Sequence, residues 1–332
     1  MPKKIEKKTL TLDKIAKLYS DEEAAYKHFE SIRWPNGPIC PHCGTIDHAY
    51  FLKPKEGERT TKTGKISYRR IWKCAEPKCY KKFSVLVGTI FEDSSIPLAK
   101  WLLAFHEVCA DKNGISSCEL ARKLDITQKS AWFMLHRIRY SLARDGKLDK
   151  MTGTVEADET YFGGEAKNMH KAKRKAKIQG RGTVGKVAVF AMVERDGEVR
   201  SQVMKNVNGD NVTEVLKANV DESAALMTDT STVYPKAGKE FASHEMVDHS
   251  ADEYVRGSAY TNTAEGHFSQ LKRSIDGTHH HVSEKHLDRY LAEFDFRYST
   301  RKVEDGERTE KTIRRAAGKR LTYKELTAEV ES

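Results

Sequence analysis

The chain has 332 residues, and its 58 Lys and Arg outnumber its 48 Asp and Glu, for a formal net charge of +10. A chain of this length holds roughly two or three domains, and its basic charge favours a polyanionic partner, most often nucleic acid. It has no apolar run of roughly 18 residues, which excludes a transmembrane helix, and its basic first residues lack the apolar core of a secretory signal. We therefore expect a cytoplasmic protein with no membrane partner.

In chain order, residues 1–36 come first, and their mixed apolar and charged residues predict one or two short helices. Residues 37–92 carry two cysteine pairs, Cys40 with Cys43 and Cys74 with Cys79. Strand-like stretches at 64–73 and 80–91 flank the second pair. Paired cysteines in a chain without an export signal more often hold a metal than form disulfides.

Four thiolates between short strands predict a zinc ribbon with one structural Zn²⁺, because a CxxC turn lets both sulfurs face one tetrahedral ion. Two alternatives stay open at this point: one pair is incidental, or His42 or His48 replaces a cysteine. The other two cysteines, Cys109 and Cys118, lie in helical, apolar surroundings and are expected to be packed thiols.

Residues 93–147 have a helical pattern, and GISSCELARKLDITQKSAWFMLHRIRYSLA (114–143) predicts a helix-turn-helix with a three-residue turn. Gln128, Lys129 and Ser130 would then begin the recognition helix and meet base edges, with Arg137 also contacting DNA. The alternative is a plain helical hairpin packed on the ribbon, in which Arg137 and Arg139 are only solvated.

A polar linker near residue 147 precedes a second region, residues 150–300, where strand-like and helical segments alternate. Residues 167–181 form a basic tract that is either a solvated loop or a phosphate-binding segment. The triplet His279–His281 is expected to pack or hydrogen-bond rather than bind metal. Residues 301–332 are expected to form a C-terminal polar tail.

Three acids in this second region could meet. Asp158 and Asp229 are each expected at the end of an apolar strand, and neighbouring strands lie about 4.8 Å apart. Glu265 stands near the start of a predicted helix, and Lys272 lies about two turns further along the same face. Two aspartates and a glutamate supply the oxygen ligands that Mg²⁺ requires.

The segments CPHCG, TVEADETYFGG, TDTSTVY and TNTAEGHFSQLKR resemble, in that order, bacterial insertion-sequence transposases related to the eukaryotic Merlin elements. The resemblance runs from about residue 20 to 300. It implies an α+β, multidomain chain in which a small zinc ribbon and a helical DNA-binding region precede an RNase H-like α/β catalytic domain of the DDE type.

The resemblance also implies roles for particular residues. Asp158 and Asp229 match the two metal-binding aspartates, and Glu265 is the expected third acid, with Asn262 as the alternative. Lys272 would be a basic catalytic residue on DNA, next to Arg273. Two Mg²⁺ (or Mn²⁺) ions per active site and a DNA-bound assembly of at least two copies are implied.

The implied function is a transposase that binds the terminal inverted repeats of its element, cleaves the ends and joins them to target DNA. Cleavage uses water as the nucleophile, and joining uses the 3′-hydroxyl. Two rival functions share features with it. A metal-dependent nuclease that cuts without joining would use the same acids, and a zinc-ribbon and helix-turn-helix regulator would leave them idle.

Overall fold

The computed structural model describes residues 12–53, 59–60, 64, 66–144, 149–163, 170–171, 186–248 and 260–328. They form two compact units, residues 1–143 with 302–332 and residues 144–301. No helix of the described ranges is long and apolar enough to cross a membrane. The basic tract predicted at 167–181 lies outside the described residues, apart from positions 170 and 171.

The first unit consists of a group of helices and a small sheet. In chain order its elements are α1 (Leu12–Tyr19), α2 (Glu22–Arg33), β1 (Ala49–Phe51), β2 (Trp72–Cys74), β3 (Lys82–Phe83), α3 (Leu98–Ala110), α4 (Ser117–Leu124), α5 (Gln128–Leu142), α10 (Asp305–Arg315) and α11 (Tyr323–Thr327). Helix α3 is apolar around most of its circumference, and its buried Trp101 and Phe105 pack edge-on against Phe91. Phe29 of α2 meets the other side of Phe91, which makes this ring the centre of the helical core.

The ribbon sheet has three antiparallel strands in the order β1-β2-β3. Its strands are shorter than the sequence predicts, since residues 85–88 form a turn instead of continuing β3. The amide of Val87 donates to the carbonyl of Ser84, and Gly88 has a φ of +69°, a backbone conformation that favours glycine. The apolar run after β3 therefore enters the helical core rather than the sheet.

Helices α4 and α5 form the predicted helix-turn-helix, joined by residues 125–127. Ser116 caps α4 by accepting from the amide of Glu119, and Thr127 caps α5 by accepting from the amide of Ser130. Such side-chain caps satisfy amides that have no partner within the helix. Asp125 ends α4 in the left-handed conformation and redirects the chain.

Arg137 requires a correction, because it is buried and does not present its guanidinium for DNA contact. Its Nε donates to the carbonyl of Leu321 at 3.0 Å, and its Nη2 donates to the carbonyl of Glu92 at 3.0 Å. Arg139 is also buried, so the alternative in which both arginines are solvated is wrong as well. A charged residue in a helix is ordinarily predicted to be exposed, but these two arginines lie on the buried face of α5.

The predicted C-terminal polar tail also requires a correction. Residues 302–332 belong to the first compact unit, where α10 buries Thr312 and Ile313 and where Leu321 and Leu326 are buried beyond it. Lys319 donates to the carbonyl of Ser141 at the end of α5, at 3.2 Å. The high charge of this segment concealed a one-sided apolar face, which is the usual pattern of a surface helix.

The second unit is a five-stranded sheet covered by helices. Its elements are β4 (Thr154–Phe162), β5 (Val187–Glu194), β6 (Val199–Met204), α6 (Gly209–Asn219), β7 (Ala225–Asp229), α7 (Tyr234–Gly238), β8 (Ser243–Val247), α8 (Asn262–Ser274), a π-helical turn (Ile275–His279) and α9 (Glu284–Ser299). The strand order is β6-β5-β4-β7-β8. Strands β4, β5 and β6 are antiparallel, and β7 and β8 run parallel to β4.

This strand order, with three antiparallel strands followed by two parallel ones, is RNase H-like. Val155 and Phe190 face a core completed by Val212 and Leu216 of α6. On the opposite face, Val189 and Ala191 of β5 pack against α8 and α9 through Leu271 and Leu291 among others. The α+β fold class predicted from the sequence is confirmed.

Candidate active site and metal centres

Four cysteines of the ribbon bring their sulfur atoms together. The Sγ atoms of Cys40 and Cys79 lie 3.8 Å apart, and those of Cys43 and Cys74 lie 3.6 Å apart. A tetrahedral Zn²⁺ with Zn–S bonds of about 2.3 Å requires sulfur–sulfur distances of about 3.8 Å. Within the described part of the chain this is the only group of three or more Cys, His, Asp or Glu whose ligand atoms all lie within 4.8 Å of one another. The cluster supports the predicted zinc site and its four-cysteine ligand set.

The protonation of these thiols also suits a cation. The hydroxyl of Thr45, 3.3 Å from the Cys43 sulfur, lowers the pKa of that thiol to about 6, so a thiolate is already favoured. Burial raises the pKa of Cys74 to about 12, which means that a bare thiolate is costly there. A bound Zn²⁺ would offset that cost, since metal coordination favours the deprotonated thiol.

We expect the double variant Cys40→Ser with Cys43→Ser to lose its zinc and to bind DNA more weakly. Removing two of four ligands leaves no closed tetrahedral site, and structural zinc sites contribute on the order of 10 kcal/mol to folding. Metal analysis of protein purified without chelator is the measurement. Cys118→Ser is the matched control, since Cys118 is exposed and outside the cluster. A double variant that keeps one zinc per chain would contradict the assignment.

The exposure of Cys118 corrects the expectation that it is a packed thiol, because it lies on the outer face of α4. Cys109 is buried as expected, with its sulfur 3.4 Å from the hydroxyl of Thr312.

Asp158 lies within β4 and not at its end, which corrects the sequence prediction. Strand β4 continues to Phe162 because its pairing with β5 extends to Phe162 opposite Val187. The parallel pairing with β7 stops earlier, at Glu156 opposite Met227. Asp158 therefore stands just beyond the paired part of the β4–β7 edge.

Asp229 is the last residue of β7, as the sequence predicts. If the register of the β4–β7 pairing is continued by two residues, Asp229 falls opposite Asp158 on the adjacent parallel strand. One carboxylate oxygen of Asp229 accepts from the amide of Ser231 at 3.0 Å, which orients the side chain. Neither aspartate forms an ion pair with a basic side chain of the described residues.

Helix α8 carries both candidates for the third active-site position, Glu265 and Asn262. Its buried face is formed by Ala264, Phe268 and Leu271, whereas Glu265 and Lys272 lie on the exposed face. This distribution confirms the predicted helix, which begins at Asn262, and the shared face of the carboxylate and the ammonium. Asn262, Lys272 and Arg273 are likewise exposed.

The electrostatics link these acids. The pKa of Asp158 is raised to about 7, first by burial and further by the negative charges of Glu159, Asp229 and Glu265. Burial is the main cause of this shift, and the nearby like charges add to it. The site therefore offers the carboxylate oxygens that suit hard cations such as Mg²⁺. The three acids do not form the tight group of ligand atoms seen for the cysteines.

Glu156 fixes α8 to β4, and the sequence analysis missed it. Its fully buried carboxylate accepts from the amide and the hydroxyl of Thr263, each at 2.8 Å, and from the amide of Ala264 at 3.1 Å. The N-cap residue Thr261 makes no side-chain cap, so Glu156 provides the cap from a distant strand. Arg195 balances its charge, with Nε 2.7 Å from the carboxylate.

Arg195 extends this connection to Tyr260, two residues before α8 begins. Its Nη2 donates to the carbonyl of Tyr260 at 2.9 Å, and its guanidinium carbon lies 3.5 Å from the centroid of the Tyr260 ring. The start of the helix that carries Glu265 is thereby tied to the strand that carries Asp158. Glu156 could have been found from the sequence, because it lies two residues before Asp158 and therefore on the same face of a buried strand.

Glu159 and Tyr234 form a second pair that the sequence analysis missed. The Tyr234 hydroxyl donates to the Glu159 carboxylate. Burial raises the pKa of Glu159, and Asp229 raises it further. The pair holds another negative charge next to the two aspartates and ties β4 to α7.

A buried Ser–His–Asp group elsewhere in this unit is structural. Ser201 donates through its hydroxyl to Asp295 at 2.8 Å and lies 3.2 Å from Nε2 of His267. All three sit between β6, α8 and α9, and burial lowers the pKa of His267 to about 4 and raises that of Asp295 to about 7. With His267 only 2% exposed, no substrate can reach this group.

The histidine triplet behaves as the sequence predicts. The ring of His279 packs edge-on against Tyr290, with centroids 4.9 Å apart. His280 contacts the carbonyl of Asp276 through its ring nitrogen at 3.0 Å.

A zinc ribbon and an RNase H-like sheet are the two domains that the sequence resemblance implies. Residues 150–299 match the ISXO2-like transposase domain, and residues 20–82 match the transposase zinc-ribbon domain. The first match covers 150 of the 332 residues and the second covers 63. The chain therefore carries a transposase zinc-ribbon domain followed by an ISXO2-like transposase domain, which confirms the resemblance to insertion-sequence transposases with an N-terminal zinc ribbon.

A relative from Halobacterium salinarum, described as an uncharacterized protein in transposable element ISH50, is 28% identical over 289 residues, covering 85% of this chain and 92% of the relative. Two solved structures are similar in part. A simian T-cell lymphotropic virus intasome in complex with PP2A regulatory subunit B56 gamma gives a TM-score of 0.27 at 12% identity, over 56% of this chain and 66% of that chain. The Mos1 transposase paired-end complex with left transposon end gives a TM-score of 0.28 at 10% identity, over 64% of this chain and 74% of that chain. At these TM-scores, neither likeness bears on how this chain works.

Proposed function

We propose that this transposase binds the terminal inverted repeats of its element, cleaves the ends and joins them to target DNA, as an assembly of at least two copies. The observation that carries the proposal is the placement of Asp158 on β4 and of Asp229 at the end of the adjacent parallel strand β7, with the start of α8, which carries Glu265, capped by Glu156 of β4. The two aspartates form no ion pair with a basic side chain of the described residues, and carboxylate oxygens suit divalent cations.

Asp158, Asp229 and Glu265 would hold two Mg²⁺ or Mn²⁺ ions, with Asn262 as the alternative third residue. When bound, such ions stabilise the attacking and leaving oxygens of an in-line displacement at phosphorus. The chain's own part is to hold the DNA. Lys272 and Arg273, exposed on α8, would contact phosphates near the scissile bond, with Lys272 acting as a point charge. Neither cleavage nor joining requires a covalent bond between protein and DNA.

The test uses full-length protein and a duplex bearing the sequence from one end of its own element. With Mg²⁺ we expect a nick that leaves a 3′-hydroxyl at the element boundary, and with no added divalent metal we expect binding without cleavage. Cleavage that is independent of divalent metal would count against the proposed active site. A nuclease that cuts without joining would give the same nick, so joining is measured separately.

We expect end recognition to depend on the start of α5. Gln128 and Lys129 are exposed there, although Gln128 donates to Ser117 at 2.8 Å and Lys129 lies over the ring of Tyr323, so both must turn outward to meet bases. Ser130 is half-buried, and its hydroxyl lies 2.9 Å from the hydroxyl of Thr127, the N-cap residue of α5.

The double variant Gln128→Ala with Lys129→Ala should bind end DNA roughly tenfold more weakly, with a smaller loss on random duplex, because base contacts carry specificity. Competition binding with full-length protein is the measurement, since 302–332 belong to the same unit as the helix-turn-helix. Lys311→Ala on α10 removes the same charge and is the control. Equal losses on end and random DNA would mean that α5 does not read sequence.

We expect Asp158→Asn to stabilise the metal-free protein above neutral pH. Because the pKa of Asp158 is raised to about 7, the folded chain holds a proton that the unfolded chain releases near pH 4. Stability therefore falls as pH rises from about 4 to about 7, and the charge-free variant avoids that loss. The expected gain is on the order of 1–2 kcal/mol at pH 8 and near zero at pH 4, discounted because the site is partly exposed.

Thermal unfolding without added divalent metal, with the zinc retained, measures this difference. Added Mg²⁺ should then stabilise the wild-type protein and leave the variant unchanged. A variant that is less stable than wild type at pH 8 would contradict the assignment of an uncompensated charge to Asp158.

A further inference from the structure

The ribbon sheet has one outward side, and it combines tyrosines with lysines. Tyr50 of β1 lies opposite Lys73 of β2, and Lys73 lies opposite Lys82 of β3. Directly opposite residues of antiparallel strands point to the same side. These three side chains therefore form a row across the sheet, and Tyr80 joins it with its ring centroid 5.4 Å from Nζ of Lys73. We call Tyr50, Lys73, Tyr80 and Lys82 the outer ribbon face.

The opposite side of the same sheet accounts for the ribbon's own core. Phe51, Trp72 and Phe83 alternate with the outer residues. Trp72 and Phe83 pack edge-on against Trp34, with centroids 6.2 and 5.7 Å apart, and Phe51 packs on Trp72. The tyrosines of the outer ribbon face are therefore not needed to complete that core.

The outer tyrosines are unusually exposed for aromatic side chains. Tyr50 is 46% exposed and Tyr80 is 53% exposed. Two exposed rings on one face of the sheet, neither of them needed by the core, favour an interaction surface over a random scatter of surface residues.

The outer ribbon face is positively charged, which favours a polyanionic partner. The three strands contain Lys73 and Lys82 and no acidic residue, and Lys81 directly precedes β3. Cations beside exposed aromatic rings match a polyanion that also offers flat π-faces. Unpaired nucleic acid has both, whereas the base faces of a duplex are stacked inside and cannot reach a tyrosine ring.

We propose that the outer ribbon face binds an unpaired stretch of DNA, with bases stacked on Tyr50 and Tyr80 and phosphates contacting Lys73 and Lys82. The inference rests on the proposed function only in taking DNA as the substrate, since none of these residues belongs to the active site. It gives the ribbon a function besides end recognition: it holds single-stranded DNA.

The test measures binding of zinc-loaded, full-length protein, without added Mg²⁺, to a labelled oligothymidylate and to a labelled hairpin duplex by fluorescence anisotropy. Tyr50→Ala with Tyr80→Ala should weaken oligothymidylate binding roughly tenfold or more and leave duplex binding nearly unchanged. Tyr50→Phe with Tyr80→Phe should bind like wild type, because stacking does not need the hydroxyl. Tyr68→Ala, which removes an equally exposed ribbon tyrosine outside the row, is the matched control.

Lys73→Ala with Lys82→Ala should reduce the salt dependence of single-strand binding, because fewer counterions are released. If the variant with both tyrosines changed to alanine loses its zinc, the double lysine variant and the double phenylalanine variant provide the test instead. The inference is overturned by unchanged single-strand affinity in the alanine and lysine pairs, by an equal loss on duplex, or by an equal loss in Tyr68→Ala. Failure of the active-site assignment would appear separately, as cleavage activity that survives in Asp158→Asn.

Discussion

Asp158→Asn, Asp229→Asn and Glu265→Gln are each expected to abolish DNA cleavage and joining while leaving end binding nearly intact. Each change keeps the size and shape of the side chain and removes the charge that would hold a divalent cation. Loss of the metal's stabilisation of the transition state should lower the rate roughly a thousandfold or more. Single-turnover cleavage of an end-containing duplex, with binding measured in parallel, checks this result.

Two further variants sharpen the assignment of the residues on α8. Lys272→Ala should be milder than the acid variants, because it removes a phosphate contact and not a metal ligand. Asn262→Ala should leave most activity, since Asn262 precedes Glu265 by one turn and is not expected to hold the ion. If Asn262→Ala is as inactive as Asp158→Asn while Glu265→Gln remains active, then asparagine is the third residue and the choice of Glu265 is wrong.

Glu156→Ala is expected to be the most damaging change outside the acids themselves. It leaves the half-buried Arg195 without this carboxylate and removes the partner of the first amides of α8. Breaking one side of a buried ion pair costs about 3–5 kcal/mol. Glu156 also positions the helix that carries Glu265. We therefore expect the variant to need a higher Mg²⁺ concentration for cleavage, even at temperatures well below its unfolding temperature.

Glu293→Ala is the matched control for this effect. Glu293 forms a buried pair with Arg297 within α9, in the same unit, and its loss should lower thermal stability similarly. Its Mg²⁺ requirement should stay that of wild type. Glu156→Gln should raise the Mg²⁺ requirement less than Glu156→Ala does, because its amide oxygen can still accept from Thr263. If Glu156→Ala loses stability but keeps the wild-type Mg²⁺ requirement, the residue is structural only.

Local chemistry made much of this protein predictable from its sequence. The cysteine spacings predict a tetrahedral cluster, and the sulfur–sulfur distances agree with it. The start of α8 at Asn262 and the shared exposed face of Glu265 and Lys272 follow from helical periodicity alone. In each case the signal lies within a few residues, so no knowledge of distant contacts is needed.

Distant contacts explain the rest. Arg137 looks like a surface arginine until residues 302–332 return to the first unit and Leu321 offers its carbonyl. Glu156 looks like an ordinary charge in a strand, yet its partners are 39 and 107 positions away in sequence. Asp158 is placed by the different lengths of its two strand pairings, which residue patterns do not reveal.

The central claim, that this chain joins DNA ends through the Asp158 site, is tested most directly by strand transfer. A duplex carrying a pre-cut element end with a free 3′-hydroxyl is incubated with supercoiled plasmid, Mg²⁺ and either wild-type or Asp158→Asn protein. We predict covalent joining of the labelled end to the plasmid by wild type, at a level reduced roughly a thousandfold in the variant. End-specific cleavage without any joined product would identify a nuclease, and equal joining by Asp158→Asn would contradict the proposed site.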